Sequence, residues 1–377
     1  RIRALGTDII WFMPIHPIGV LGKKGTLGCP YANRDYRSVN PEYGTLDDFK
    51  ALVDEIHARG MKCMIDVVYN HTSPDSVLYN EHPEFFYYNA AGKPGNKMGD
   101  WADVIDLDYN NRALWQYLTD TLVMWAKIVD GFRCDVAPLI PLEFWQEARR
   151  RGAEVNPDCL WLSESVEPVF TRDNRERGMV SLSDAEIHQA FDVSYEYDVY
   201  HDWVRLLLGE CGLEEYALRV TQQEYLYPDN YVKLRFLENH DRPRAAFLIP
   251  DARARRNWTA FMYFQKGMAL VYNGQEREND FRPSLFDKDD IRWDTGSDIS
   301  PFLRRLYEMK RNPLFADSRY DARGAGNGML VATHRAAGRR MTGVFSRWST
   351  MTELRQRAAT ARTILRSWRI SGGSIRW

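Results

Sequence analysis

Apolar and polar positions along the chain alternate between a helical period and the pattern of buried strands. The clearest helix is predicted over 45–60, where Thr45 is a capping residue, the first turn is acidic and apolar side chains repeat at helical spacing from Phe49 to Ile56. The segment MKCMIDVVYNH follows at once at 61–71. Its near-continuous apolar stretch is typical of a parallel strand that is buried on both faces.

Helix and strand signals continue to alternate beyond this point. The predicted elements are helix 111–128, strand 130–137, helix 141–151, strand 159–165, strand 231–238, helix 251–265, strand 267–274 and helix 300–311. The stretch 166–230 shows no clear period. Such alternation predicts a parallel sheet in an α/β fold, and the number of repeats favours a (β/α)8 TIM barrel over a doubly wound sheet. No GxGxxG follows any strand, which removes the main support for a nucleotide-binding fold.

The same pattern divides the chain into regions. The opening ALGTDIIWFMPIHPIG predicts a helix end, a strand and a Pro/Gly-rich loop, so the barrel is expected to begin with its first strand missing. We predict a barrel over 1–315 that includes a loop subdomain over 72–110, after the third strand, and then the start of a C-terminal β domain over 316–346. Residues 347–377 form a basic, atypical tail, either an amphipathic helix with a surface or membrane role or a disordered or artefactual segment.

Composition excludes some classes of partner. The 377 residues carry a formal net charge of −2, so no overall basic field attracts nucleic acid. No apolar run reaches the roughly 18 residues of a membrane span, and no membrane partner is expected. Aromatic residues make up 13%, which is typical of proteins that stack flat ligands such as sugar rings or bases. The sequence does not indicate an oligomeric state.

The five cysteines are odd in number and scattered, without a CxxC pair. They therefore predict neither a disulfide framework nor a zinc site, and they favour a reducing, cytoplasmic compartment. An N-terminal signal cannot be assessed, because the first residues already resemble the middle of a fold.

Polar side chains stand at the ends of four predicted strands. In a parallel barrel all carboxyl ends of strands lie on one face, where such enzymes keep their chemistry. Each residue alone has a structural explanation, such as a turn cap, an ion pair or a solvated carboxylate, but four strands that end in this way predict a site. The residues placed there are Asp66, Asn70, His71, Arg133, Asp135, Glu164, His240 and Asp241.

Carboxylates that share one cleft repel each other, and this separates a protonated acid from an ionised base or nucleophile. Retaining glycosidases need that separation. Arg133 stands two residues before Asp135, on the same face of a strand, where it would keep that carboxylate ionised. The rival explanation is a divalent metal held by His71, His240 and the carboxylates, although the HExxH motif of hydrolytic zinc sites is missing.

These segments together resemble a known family. DVVYNH (66–71), GFRCDVA (131–137), the Glu in LSES (162–165) and FLENHD (236–241) are similar to the four ordered segments of the α-amylase family, glycoside hydrolase family 13. VIDLDY (104–109) resembles that family's additional segment in the loop after the third strand. The resemblance covers roughly residues 1 to 345, in the family's order and spacing.

Carried over position by position, the resemblance implies that Asp135 is the catalytic nucleophile, Glu164 the general acid/base and Asp241 a third carboxylate that holds sugar hydroxyls. Arg133 corresponds to the arginine that bonds the nucleophile, and Tyr31 to a tyrosine that stacks beneath the sugar. The residues implied in substrate binding are Tyr31, Asp66, His71, Arg133 and His240.

One departure from the family pattern and one match to it bear on specificity and metal binding. Pro138 and Leu139 stand where the family's amylases often have a Lys-His pair. This difference puts in question both the specificity for the leaving-group sugar and calcium binding. Asn70 matches a family calcium ligand, but it could equally brace the loop beside His71. Calcium is left open, and no organic cofactor is expected.

The expected activity is therefore retaining hydrolysis of α-1,4-glucosidic bonds in starch, glycogen or maltooligosaccharides, with an α-glucan or oligosaccharide as the partner. Two alternatives remain. One is an α-glucan transglycosylase or a saccharide isomerase, and the other is a catalytically silent carbohydrate-binding barrel.

Overall fold

The computed structural model describes residues 1–99 and 101–345. These form two compact units. The N-terminal unit comprises Thr7–Ser194 and Leu285–Lys288, and the C-terminal unit comprises Arg1–Gly6, Tyr195–Ser284 and the described residues from Asp289 onward. The tail predicted over 347–377 lies outside the described residues, as does position 346, and the predicted domain boundaries stay a prediction.

The described residues form short strands and longer helices. The helices are α1 (Ile2–Leu5), α2 (Leu46–Ala58), α3 (Val77–Glu81), α4 (Arg112–Ala126), α5 (Leu142–Ala153), α6 (Pro168–Glu176), α7 (Asp184–Ile187), α8 (Tyr197–Leu207), α9 (Leu213–Leu226), α10 (Ala245–Leu248), α11 (Ala252–Phe264) and α12 (Ser300–Lys310). The strands are β1 (Ile9–Phe12), β2 (Lys62–Val67), β3 (His71–Thr72), β4 (Ile105–Asp106), β5 (Gly131–Cys134), β6 (Leu160–Ser163), β7 (Val193–Tyr195), β8 (Lys233–Arg235), β9 (Met268–Ala269), β10 (Arg319–Gly324), β11 (Leu330–Ala336) and β12 (Arg339–Phe345).

A parallel sheet organises the N-terminal unit. Its strands pair in the order β1-β2-β5-β6-β7, and every pair is parallel. The register places Asp66 beside Arg133 and Arg133 beside Leu162. Because all strands point the same way, their carboxyl ends meet at one edge of the sheet, and this edge receives the polar residues that follow them.

Helix α2 begins where the sequence predicts. Thr45 accepts a hydrogen bond from the Asp48 backbone N–H at 3.1 Å, and the Asp48 carboxylate accepts one from the Thr45 N–H at 2.8 Å. This capping box satisfies two backbone donors that the first turn leaves without partners. Helix α4 has a simpler cap, in which the Asn111 side chain accepts from the Ala113 N–H at 3.0 Å.

The core of this unit lies between the sheet and its helices. Phe132 of β5 and Trp161 of β6 are buried, with ring centroids 5.3 Å apart. Phe49 from α2 packs edge-on against Trp125 from α4 at 6.1 Å. Burying each large aromatic side chain contributes about 1.5–3 kcal/mol, so these contacts hold the helices on the sheet.

The predicted loop subdomain has sparse regular structure. β3 and β4 pair antiparallel, with His71 opposite Asp106, and α3 starts at a cap formed by Ser76. Strand β2 is thus shorter than predicted. It ends at Val67, and His71 belongs to a separate strand that starts this loop.

The C-terminal unit contains the parallel pair β8-β9 and an antiparallel sheet in the order β10-β11-β12. Helix α9 is tied to the antiparallel sheet by Thr221, whose hydroxyl donates to the Ala322 carbonyl and accepts from its N–H, both at 2.8 Å. An antiparallel sheet is therefore present within 316–346, where the start of a β domain is predicted, although the predicted strand 231–238 is regular only over Lys233–Arg235.

The stretch 166–230, which lacked a clear sequence period, contains α6, α7, β7, α8 and α9. Helices as short as α7 are stabilised mainly by tertiary packing and caps rather than by propensity. Of the helices in the described residues, none is long and apolar enough to cross a membrane.

Candidate active site

Arg133 is the centre of the candidate site in the N-terminal unit. Its side chain is fully buried, and Nη1 donates to Asp66 Oδ1 at 2.9 Å and to Asp135 Oδ1 at 2.9 Å. Nη2 lies 2.9 Å from Glu164 Oε2. One guanidinium thus contacts carboxylates that come from three neighbouring strands.

Backbone geometry explains this convergence. Asp66 pairs with Arg133 across β2 and β5, and Asp135 follows on the same face of the chain two residues later. The Asp135 N–H donates to Val67 O at 2.9 Å, and the Glu164 N–H donates to Cys134 O at 3.0 Å. These bonds extend the sheet ladder by one step, so both carboxylates stand just beyond the ends of their strands.

Exposure separates the three carboxylates. Asp66 is 0% exposed, whereas Asp135 and Glu164 each keep 7% exposure. A buried ionised carboxylate is costly unless it is paired, and the Arg133 guanidinium supplies charge-assisted hydrogen bonds to Asp66 and Asp135 and an ion pair to Glu164. Asp66 therefore holds Arg133 from the buried side of the site, while Asp135 and Glu164 present the accessible oxygens.

Tyr31 joins this network from the loop that follows β1. Its hydroxyl donates to Asp66 Oδ2 at 2.9 Å, and the Arg133 guanidinium lies 5.5 Å from its ring centroid. Cys29, Val68 and Phe286 pack around the ring. The structure thus fixes the Tyr31 ring, and the predicted stacking on a sugar stays a prediction.

His71 and Asn70 lie together at the start of the loop subdomain. Asn70 Nδ2 is 3.1 Å from His71 Nδ1, and the His71 ring packs edge-on against Trp101 at 5.3 Å. Burial lowers the pKa of His71, although the nearby Asp106 and Asp103 carboxylates oppose this shift. A neutral imidazole that is held in this way can exchange hydrogen bonds with a sugar hydroxyl.

Asn70 also lies near the Asp106 carboxylate. Asn70 Nδ2 approaches Asp106 Oδ1 at 3.5 Å, and the second Asp106 oxygen accepts from the Lys97 N–H at 2.7 Å. Within residues 1–99 and 101–345, no three His, Cys, Asp or Glu side chains are grouped so that they could hold a metal ion. Asn70 thus contacts both His71 and Asp106, and calcium binding stays one of two open alternatives.

His240 and Asp241 belong to the C-terminal unit. His240 Nε2 lies 3.1 Å from Asp241 Oδ2, and the Asp241 side chain is 34% exposed. The preceding polar residues have structural partners: Glu238 accepts from Arg244 at 2.8 Å, and Asn239 accepts from the Asp241 N–H at 2.9 Å. The predicted roles of His240 and Asp241 in substrate binding and catalysis stay predictions.

Sequence reasoning missed Val136, whose backbone N–H donates to Glu164 Oε2 at 2.9 Å. Val136 has φ 36° and ψ 41°, in the left-handed region. A glycine or asparagine would have suggested such a turn, but a β-branched residue gives no signal of it in the sequence.

Comparison with known proteins identifies the family. The profile of the α-amylase catalytic domain matches residues 1–102 and 97–313. The chain belongs to the α-amylase family. Similarity to an α-amylase from Lactobacillus plantarum of known structure covers 92% of this chain and 82% of that one, at 48% identity and a TM-score of 0.89.

Two further relatives of the amylase-family chain carry different names. A maltogenic α-amylase from Thermotoga neapolitana is 34% identical, with 92% of this chain and 79% of that chain covered and a TM-score of 0.81. An α-1,4-glucan:maltose-1-phosphate maltosyltransferase from Myxococcus xanthus is 30% identical over 242 residues, 59% of this chain and 34% of the relative. The chain spans about a third of the length of the first curated relatives that it matches.

The structural similarity confirms the predicted fold class. The amylase-family chain has the (β/α)8-barrel fold, with an additional antiparallel sheet at its C-terminal side.

Proposed function

We propose that the protein is a retaining α-glucan hydrolase that cleaves α-1,4-glucosidic bonds of starch, glycogen or maltooligosaccharides. The observation that supports this most strongly is the contact of one buried arginine with both Asp135 and Glu164, at 2.9 Å each. Retaining enzymes keep their two carboxyl groups about 5–5.5 Å apart, and a shared guanidinium is compatible with that spacing.

In the first half-reaction, Glu164 gives its proton to the glycosidic oxygen while Asp135 attacks the anomeric carbon. The glycosidic bond breaks, a bond between Asp135 and the sugar forms, and the leaving sugar departs with the proton. Arg133 holds Asp135 in its ionised form before the attack, because the ion pair favours the carboxylate. Asp241 and His240 are expected to hold sugar hydroxyls.

In the second half-reaction, ionised Glu164 takes a proton from water, and the water oxygen attacks the anomeric carbon. The bond to Asp135 breaks, and the product keeps its α configuration. Glu164 is protonated again, so the enzyme returns to its starting state.

A transglycosylase is the second candidate. It differs only in the acceptor, since a sugar hydroxyl replaces water in the second half-reaction. The observation that favours it is the similarity to a relative named a maltosyltransferase. Products longer than the donor would identify this activity.

The test is product analysis by chromatography after incubation of the purified protein with maltoheptaose and with soluble starch. We expect short maltooligosaccharides from the wild type and a loss of about 10³-fold or more in Asp135→Asn and Glu164→Gln. Asp47→Asn is the matched control, because this carboxylate is 91% exposed on α2. Absence of turnover by folded wild-type protein would contradict the proposal and favour a silent carbohydrate-binding barrel.

A further inference from the structure

The chain makes an unusual turn directly after Asp135. Val136 lies in the left-handed region at φ 36°, where a β-branched side chain is strongly disfavoured. Such a conformation persists only where surrounding structure enforces it, and it concentrates at functional sites.

Hydrogen bonds on both sides of Val136 enforce the turn. Before it, the Asp135 N–H is bound to Val67 O at 2.9 Å. After it, the Ala137 carbonyl accepts from the Trp145 indole at 3.0 Å, and the Pro138 carbonyl accepts from the Leu182 N–H at 2.8 Å. The backbone is therefore fixed at each end, and the left-handed residue joins the two fixed ends.

The consequence of this turn is the direction of one N–H group. The Val136 N–H points at Glu164 Oε2 and lies 2.9 Å from it. Arg133 Nη2 is also 2.9 Å from Oε2. Glu164 Oε2 thus accepts from the Val136 N–H and forms an ion pair with Arg133, so a proton on that oxygen would meet an N–H hydrogen and a positive charge.

We propose that the left-handed turn at Val136 is a positioning device that, together with Arg133, keeps Glu164 Oε2 as the unprotonated oxygen and assigns the transferable proton to Oε1. This inference rests on the proposed function, because it concerns the acid/base role of Glu164. Val136 acts through Glu164, so it is a positioning residue and not a catalytic one.

The turn at Val136 bears on the direction in which Glu164 gives up its proton. A carboxylic acid donates its proton in a fixed direction only if one of its two oxygens is kept unprotonated, so that the other carries the proton. The Val136 N–H and the Arg133 cation at Oε2 make that choice before substrate binds, and the pre-set orientation avoids a reorganisation during proton transfer.

The test removes the backbone N–H of Val136 and leaves its side chain unchanged. Replacing Val136 by its α-hydroxy analogue converts the amide into an ester with the same isopropyl group. The control is the α-hydroxy analogue of Ile140, whose N–H donates to Ala137 O at 3.2 Å in the same turn and does not face Glu164. Both ester proteins are full-length chains.

The main readout is the titration midpoint of the Glu164 carboxyl carbon, followed by ¹³C NMR and assigned with Glu164→Gln. Loss of a donor to the carboxylate favours the protonated acid, so we expect the midpoint to rise by roughly one pH unit in the Val136 ester. The Ile140 ester is expected to leave it in place. The alkaline limb of kcat/KM for maltoheptaose should move in the same direction by the same amount.

An unchanged midpoint in the Val136 ester, or an equal shift in both esters, would overturn the inference. If the Val136 ester does not fold, an NMR titration of the wild-type protein still tests the inference. Its Val136 amide proton shift should follow the titration of Glu164 and lose that response in Glu164→Gln, and a shift that ignores pH would overturn the inference. Absence of glucan turnover refutes the proposed function alone, since the NMR titrations do not depend on it.

Discussion

Arg133 carries its charge where no water reaches it, and the carboxylates of Asp66, Asp135 and Glu164 offset that cost. The guanidinium suits this position because its planar donors contact several oxygens at once. Removal of the cation would leave three carboxylates close together and poorly solvated. At the residue scale, the site is thus stabilised by the same ion pairs that prepare it for chemistry.

We predict that Arg133→Met lowers the free energy of unfolding by about 3–5 kcal/mol at neutral pH, because breaking a buried ion pair leaves uncompensated charges. The loss should shrink below about pH 5, where protonation of the carboxyls removes their repulsion. Urea denaturation at several pH values measures both effects.

Arg150→Met is the control for this prediction. Arg150 pairs with Glu154 at 2.7 Å on the surface of α5, and its side chain is 65% exposed. Such pairs contribute little, so we expect a change below about 0.5 kcal/mol. Similar losses in the two variants would contradict the role given to Arg133.

The sequence predicted most of this residue-level picture. Asp66, Arg133, Asp135 and Glu164 were placed at one edge because parallel strands end together, and the structure brings these four into contact. The role of Asp66 beneath Arg133 was not predicted, because depth below a surface is set by tertiary packing. Val136 was missed because a valine in the sequence does not indicate a positive φ angle.

At the element scale, strand β5 lies unusually close to its neighbours at Gly131. A Cβ on Gly131 would stand 2.7 Å from the Leu160 carbonyl oxygen and 3.0 Å from Met64 Cε. The glycine therefore lets β5 lie close to β6. Arg133 follows two residues later on the same strand, so the spacing of β5 also places the guanidinium.

We expect Gly131→Ala to lower the free energy of unfolding by about 1–3 kcal/mol and to reduce kcat, because the overpacked strand displaces Arg133. Gly95→Ala is the matched control, since its added Cβ meets its nearest neighbour at 3.7 Å and its φ is not positive. Thermal unfolding and maltoheptaose turnover check both variants. Unchanged stability in Gly131→Ala would show that the strands can separate freely.

The end of α11 in the C-terminal unit shows how elements lock together. The last carbonyl of the helix and the two carbonyls that follow it each accept from a side chain of a different element: Phe264 O from His334 Nε2 at 2.7 Å, Gln265 O from Lys310, and Lys266 O from Arg235 Nε at 2.8 Å. Donors at a helix C-terminus satisfy free carbonyls and complement the helix dipole.

His334 makes this junction sensitive to acid. Burial lowers the pKa of His334 from the ordinary 6.5 to about 4. The unfolded chain therefore binds a proton near pH 6.5 that the folded chain does not bind until about pH 4, and the free energy of unfolding must fall as the pH decreases across this window.

We predict that His334→Gln removes up to about 3 kcal/mol of the fall in stability between pH 6.5 and pH 4. Glutamine can still donate to Phe264 O, so the variant should fold. Urea unfolding of both proteins across this range gives the comparison. Parallel stability curves for wild type and variant would contradict the buried, neutral state of His334.

Element prediction from sequence succeeded where periodicity and capping agree, as in α2 and α4. It was less accurate for β8, where alternation is typical of a strand with one face in water. Lys233 and Arg235 are instead fully buried, paired with Asp198 at 3.3 Å and Glu196 at 3.1 Å. Buried ion pairs have the same sequence pattern as a solvated face, so only the structure separates them.

For the whole molecule, the order of helices and strands and the four polar strand ends sufficed to predict the barrel class. The family profile and the L. plantarum α-amylase structure confirm it. The fold does not determine the activity, because relatives of this chain are named both as amylases and as a transferase. What unites these proposals is a covalent intermediate on Asp135.

Trapping that intermediate tests the account most directly. A fluorine-substituted α-glucosyl fluoride should release fluoride as its anomeric carbon bonds to Asp135, and the electron-withdrawing substituent should slow the second half-reaction. Glu164→Gln should still be labelled, because fluoride leaves without protonation, whereas Asp135→Asn should not. Peptide mass spectrometry of the digested protein locates the label.

We predict a sugar adduct on the peptide that contains Asp135, in the wild type and in Glu164→Gln. A label on a different carboxylate, or fluoride release that leaves no labelled peptide, would contradict the assignment of Asp135 as nucleophile and with it the proposed double displacement.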